Sequence, residues 1–235
     1  MRFMTLLPRL AVFDVDGTLI DSQHTIVSAM LTAFAAHGLP APRPEAVRRI
    51  IGLSLVEAVS RLLPEAEAAR PDTALAVAHA YKEAFVALRE KCGHDPLFPG
   101  ARETLDRLEA EGWLLGLATG KSRRGVEAMI ERHGFEGRFV TVQTADGHPS
   151  KPDPSMVLQA LSETGVAAEV CVMVGDTAYD MAMARAARVR ALGVCWGYHP
   201  PEELEQAGAE RLAEDFAALP ALLAALTGEA ACARP

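Results

Sequence analysis

The sequence predicts an α/β fold: a doubly wound parallel sheet in three layers, with an all-α subdomain inserted near its start. Three observations predict it. Short β-prone apolar runs alternate with stretches of helical periodicity, and the runs end at small or acidic residues. Between the first run and the second, about 80 residues read as helix throughout.

The apolar runs lie at 10–13, 113–118, 139–142, 170–174 and 191–194. The fourth shows no polar alternation, as a strand buried on both faces requires. Residues 102–111 put Leu105 and Leu108 on one helical face and stop at Gly112. Residues 123–133 put Val126, Met129, Ile130 and His133 along a stripe and stop at Gly134, a candidate C-terminal cap. Such alternation implies βαβ units with helices on both faces of the sheet, a Rossmann-like arrangement.

The long first interval needs a separate account. Residues 22–37 carry Ile26, Val27, Met30, Leu31 and Phe34 on one side and end at Gly38. Ser54-x-x-Glu57 is a capping-box pattern opening a helix that stops at Pro64, and 72–91 form a third long helix. A crossover helix needs only a dozen or so residues. The expected division is therefore an α/β core from 1–20 and 98–235, with an α-helical cap at 21–97. The Ala-rich stretch 216–226 reads as a terminal helix, with the last few residues frayed.

Of 235 residues, 50% are hydrophobic and 23% charged, which excludes a mainly disordered chain. Lys and Arg number 23 against 31 Asp and Glu, a net charge of −8. That balance speaks against neutralising a nucleic acid polymer or an anionic membrane. Cys92, Cys171, Cys195 and Cys232 form no CxxC pair, so neither a disulfide framework nor a structural zinc site is expected. The opening residues are too short and interrupted for a secretory segment, and no apolar run nears the ~20 residues of a membrane span. The expectation is a cytoplasmic protein, monomer or homodimer.

Four polar clusters sit where strands end, the place at which open parallel sheets hold ligands. The first is Asp14-Val15-Asp16-Gly17-Thr18: two acids one residue apart, which repel unless a cation or a proton intervenes. The second is Ala118-Thr119-Gly120-Lys121, a hydroxyl and free amides suited to an anion. Lys151-Pro152-Asp153-Pro154 sets a lysine ahead of a helix, and Gly175-Asp176 through Asp180 adds two more acids. Carboxylates around one rim suit Mg²⁺, which shares oxygen ligands with phosphate, while lysine and hydroxyl complement phosphoryl charge. Any one cluster alone is more often a solvated turn or helix cap; four in order point to phosphoryl chemistry on a small-molecule phosphate ester.

These motifs resemble those of the haloacid dehalogenase superfamily: DxDGT(V/L), a hydroxyl residue, a lysine, then GDxxxD. The wider wording, DGTLIDS, KPDP and Gly193-Val-Cys-Trp-Gly-Tyr-His, is similar to the phosphoglycolate phosphatase-like branch. The resemblance implies Asp14 as nucleophile giving an aspartyl-phosphate, and Asp16 as the acid and base. It implies Mg²⁺ held by Asp14, the Asp16 carbonyl and Asp176, with Asp180 in support. It implies Thr119 and the Gly120 amide on phosphate oxygens, Gly17 at the substrate-binding turn, and Lys151 orienting Asp14. Asp16 disfavours dehalogenation, which needs no second acid. No lysine lies between Asp21 and Tyr81, which disfavours Schiff-base chemistry. The related mutases carry a histidine where this chain has Ile26, although His24 lies nearby.

The substrate expected from that likeness is 2-phosphoglycolate, with sugar phosphates or inorganic pyrophosphate as alternatives. A phospho-aspartate binding switch is the alternative of another class. In the cap, Arg49 is the chosen candidate for a substrate anion, against a solvated helix face. Gly52 marks either a close-packed loop or a helix end. His199 is expected at the surface; Cys171, Trp113 and Trp196 are expected as packing.

Overall fold

The computed structural model describes residues 8–68 and 70–231. Its core is one six-stranded sheet, parallel throughout, in the order β3-β2-β1-β4-β5-β6. The strands are β1 (Arg9–Phe13), β2 (Trp113–Thr119), β3 (Phe139–Thr144), β4 (Cys171–Gly175), β5 (Arg190–Val194) and β6 (Arg211–Ala213). Strand order reverses at β1, whose neighbours are β2 on one side and β4 on the other. A crevice therefore opens at the carboxyl ends of β1 and β4.

Both faces of the sheet are covered. On one, Ala11, Phe13, Val172 and Val174 pack against α6 (Ala101–Ala110), α7 (Arg123–His133) and α11 (Leu219–Ala231). On the other, Leu10, Val12, Cys171 and Met173 pack against α8 (Ser155–Thr164), α9 (Ala178–Ala187) and α10 (Pro201–Ala207). Successive residues of β1 and β4 point to opposite faces and all but Arg9 are buried, which is why these runs show no alternation.

The helices between β1 and β2 are α1 (Gln23–Ala36), α2 (Pro44–Arg49), α3 (Leu55–Leu62), α4 (Glu65–Ala68) and α5 (Pro71–Cys92), followed by α6. Of these, α1, α2, α3 and α5 build a separate apolar cluster, including Met30, Phe34, Val47, Val59 and Val77. The two chain crossings that join it to the core run side by side: Ile20 bridges Leu97, and the Asp21 amide donates to the Pro96 carbonyl at 3.0 Å. Among the described residues, no helix is long and apolar enough to cross a membrane.

Three local readings need correction. Ser54 begins α3, but its side chain makes no cap; the Glu57 carboxylate is taken by Arg61 Nε at 2.8 Å, and the Ser54 amide donates to Ser150 Oγ in the core. The capping box is at Thr177, whose reciprocal partner is Asp180. The 216–226 stretch begins as a 3₁₀ turn, Phe216–Ala218, before α11; β6 was unread because three residues carry no period. The expected fraying of the last residues concerns 232–235, outside the described residues.

Candidate active site

Asp14 and Asp16 follow β1, and Asp176 follows β4, its neighbour in the sheet. The Asp14 amide donates to the Val174 carbonyl at 2.9 Å, which ties the two strand ends together. Asp180 stands one turn into α9, and Lys151 precedes α8. The fold thus gathers, from three distant stretches of the chain, the side chains of Asp14, Lys151, Asp176 and Asp180, all at 1% exposure or less.

Within this cluster Lys151 Nζ donates to Asp180 Oδ1 at 2.7 Å and lies 3.0 Å from Asp14 Oδ1. Burial disfavours its ammonium, yet the flanking Asp14 and Asp180 outweigh that and hold it above the usual lysine range. Asp180 Oδ2 accepts from the Thr177 amide and hydroxyl, while Asp176 accepts from Thr18 Oγ1 at 2.8 Å and the Tyr198 amide at 3.0 Å. Gly17 is required at its turn: its φ is +92°, and a Cβ there would overlap the Asp176 carboxylate.

Three acids against one ammonium leave two uncompensated negative charges in a buried space. Burial pushes the Asp14 carboxyl up to about 7, with Lys151 opposing and Asp180 and Asp16 adding; Asp176 is raised by burial and by Asp14 and Asp180. Neither Asp14 oxygen accepts a directed hydrogen bond. One oxygen each from Asp14, Asp176 and Asp180 fall within 4.8 Å of one another. Orphaned carboxylate oxygens, hard donors and a twofold charge deficit fit a divalent cation such as Mg²⁺.

Asp16 turns away from that cluster. Its two oxygens each accept from Lys121 Nζ at 2.7 Å, and Oδ1 also accepts from Ser22 Oγ at 2.7 Å. Its carboxylate is therefore no member of the acid group, and a place in the metal set rests on its backbone carbonyl alone. Thr119 ends β2, buried, and Gly120 follows where the inserted helices press closest: a Cβ would overlap the Gly52 and Leu53 carbonyls. Asp14, Asp16, Thr119, Gly120 and Lys121 all face one cavity between the sheet rim and the inserted helices.

Arg49 is not brought to that cavity. Its guanidinium pairs with Glu203 at 2.7 Å on the outer side, where Glu203 at the start of α10 offers the nearer anion. His199 corrects the surface expectation: it is 4% exposed, accepts from the Ala178 amide at Nδ1, and sets Nε2 3.2 Å from the Arg49 carbonyl. Burial and Arg49 lower its pKa. Gly52, at φ +99°, is a close-packed loop residue beside Thr177. Cys171 and Trp113 are packing, and Trp196 Nε1 also donates to the Thr18 carbonyl at 3.0 Å. At the mutase position, Ile26 is buried on the cavity wall; His24 is exposed and is not part of that wall.

Sequence reasoning missed Lys121 and Ser22 as partners of Asp16. Lys121 stood in a quoted cluster; its signal was a cation two residues beyond a strand-end hydroxyl.

Known proteins bear on this arrangement. A family model described as "Haloacid dehalogenase-like hydrolase" matches residues 11–194. A protein named "Probable phosphatase IndB", from Dickeya dadantii, is 35% identical over 209 residues, covering 88% of this chain and 90% of that protein. A phosphoglycolate phosphatase of Agrobacterium fabrum is 31% identical over 230 residues, 95% of this chain and 96% of that protein. The crystal structure of a hydrolase from Pseudomonas syringae superposes with a TM-score of 0.80 at 28% identity, over 92% of this chain and 97% of that one. With its acid cluster at the sheet rim, the chain belongs to the haloacid dehalogenase-like hydrolases, in the phosphoglycolate phosphatase-like branch.

Proposed function

We propose that the protein hydrolyses a small phosphate monoester in two steps through an aspartyl-phosphate on Asp14. The observation that carries this reading is Asp14 itself: wholly buried, facing the cavity, with both carboxylate oxygens lacking directed hydrogen bonds and Lys151 at 3.0 Å. A carboxylate so placed is an activated nucleophile rather than a structural acid. Asp14, Asp176 and the Asp16 carbonyl would hold Mg²⁺, with Asp180 supporting from behind Lys151. Bound there, the ion supplies charge neutralisation and Lewis-acid polarisation of the phosphoryl group.

The remaining work falls to this chain's side chains. An Asp14 oxygen attacks phosphorus while Asp16, entering this step in its protonated form, gives that proton to the departing ester oxygen. Asp16 then takes a proton from the water that attacks the same phosphorus, freeing phosphate and restoring Asp14. Lys121 and Ser22 hold the Asp16 carboxylate toward the cavity, and Thr119 with the Gly120 amide offers donors to phosphoryl oxygens. The inserted helices exclude bulk water when drawn over the rim.

2-Phosphoglycolate is the reference substrate, supported by the sequence likeness and by the name of relatives such as the Agrobacterium protein; sugar phosphates and pyrophosphate are the alternatives. The reaction is tested by phosphate release from these compounds with and without Mg²⁺. Release that requires Mg²⁺ and is lost in Asp14→Asn supports the reading. Equal release by the variant, or none from any ester by a folded, Mg²⁺-loaded protein, contradicts it.

A further inference from the structure

The cavity that ends on Asp14 is far larger than a two-carbon substrate requires. It encloses about 600 Å³, within the range of sites that hold drug-sized ligands. Its floor is the polar rim already described. Its walls are another material: Met30 of α1, Ile51 and Leu53 of the loop between α2 and α3, and Tyr81 and Phe85 of α5. Met30, Ile51 and Leu53 are at most 5% exposed, most of each side chain being packed among the inserted helices, and the half-buried Tyr81 and Phe85 offer more surface to the cavity. At the mouth stand Val56 and Val86, 40% and 43% exposed, both lining the same space.

Charged groups also line the cavity: Lys82, Glu90 and Arg124 are exposed, while Arg89 and Lys121 are engaged with neighbours. Arg89 lies over the Phe85 ring at 5.6 Å and reaches His94 Nδ1 at 3.1 Å, and Lys121 is spent on Asp16. 2-Phosphoglycolate, a trianion when fully ionised, would set its phosphate on the floor and leave much of the apolar surface uncovered. The continuity of the wall with the nucleophile identifies its occupant as part of the reacting ester, not a separate partner.

We propose that this cavity binds the organic portion of phosphomonoesters carrying an extended apolar group, of about six carbons or more, and that their hydrolysis is a further activity of the site. The proposal rests on the phosphatase reading and goes beyond its two-carbon reference substrate. The bond broken is the same phosphorus–oxygen bond, with Asp16 protonating the leaving alkoxide and water supplying the oxygen of the released phosphate.

The test is kcat/KM across ethyl, butyl, hexyl and octyl phosphate, whose alkoxides are chemically alike, so differences report on the wall. Each methylene moved from water into an apolar site gains roughly fourfold. We expect at least a tenfold rise from ethyl to hexyl phosphate, and a flattened series in Met30→Asn and Phe85→Ala. The wild-type series decides the matter even if a variant fails to fold. A flat or falling series, with ethyl phosphate or 2-phosphoglycolate still turned over, overturns the proposal alone. No turnover of any ester removes the parent reading as well.

Discussion

The rim of the sheet and the underside of the inserted helices face each other across one cavity, yet they are built in opposite ways. The rim packs charge into full burial: Asp14, Asp176, Asp180 and Lys151 are each at 1% exposure or less. Each is fixed by a strand end or a helix start, and nearly every oxygen but those of Asp14 is committed to a donor. The helical wall carries mainly aliphatic and aromatic side chains, with Lys82, Arg89 and Glu90 of α5 among its lining and Arg49 turned outward to Glu203 of α10. The difference teaches where each property resides. On the proposed function, chemistry lies in groups whose geometry the sheet enforces, and selectivity in a surface that can vary without disturbing them.

The contrast is broken most severely at Asp14, the proposed nucleophile. Asp14→Asn preserves shape but removes the attacking charge, and a loss on the order of 10⁴–10⁶-fold in kcat is expected, read by phosphate release. Next comes the support of Asp16. Lys121→Met should lower kcat by roughly tenfold to a hundredfold through misorientation, with the fold intact by circular dichroism and partial recovery in Lys121→Arg.

The charge deficit of the rim is readable in stability. The Asp14 carboxyl is at about 7 in the fold against 3.8 for its ordinary value. A group raised in this way favours the fold fully below the unfolded pKa, and that contribution is lost as pH rises toward 7. Mg²⁺ binds the ionised form and should restore it. Saturating Mg²⁺ is expected to raise Tm by about 5 °C or more at pH 8 and scarcely at pH 5. An equal shift at both values would mean that the ion binds elsewhere.

The smallest effect belongs to the outer face of the inserted helices. Arg49→Ala removes an ion pair whose arginine side chain is 47% exposed. Stability should fall by no more than about 1 kcal/mol, and turnover should stay within about twofold. A large rise in KM would return Arg49 to the site.

The same contrast governs what could be read from the amino acids. Five of the six strands were legible as apolar runs, and the clusters at Asp14, Thr119 and Asp176 were legible because each directly follows one, whereas Lys151 stands seven residues past β3. The helical insertion was legible in outline from its length and period. Partnerships across the fold were not. Lys121 meets Asp16 from 105 residues away, and no local pattern carries that distance. His199 looked like a loop residue because burial by the Arg49 carbonyl and α9 depends on the insertion folding back. Ser54 looked like a cap because the pattern was present, but the approach of Ser150 claims its amide first.

The central claim is that Asp14 carries the phosphoryl group. The direct measurement is rapid acid quench during turnover, borohydride reduction and peptide mass analysis, which converts an aspartyl-phosphate into homoserine. Homoserine is expected at position 14 alone, appearing and vanishing within the turnover time. Homoserine elsewhere, none at position 14, or a phospho-aspartate that persists long after substrate is consumed would contradict it, the last in favour of a switch.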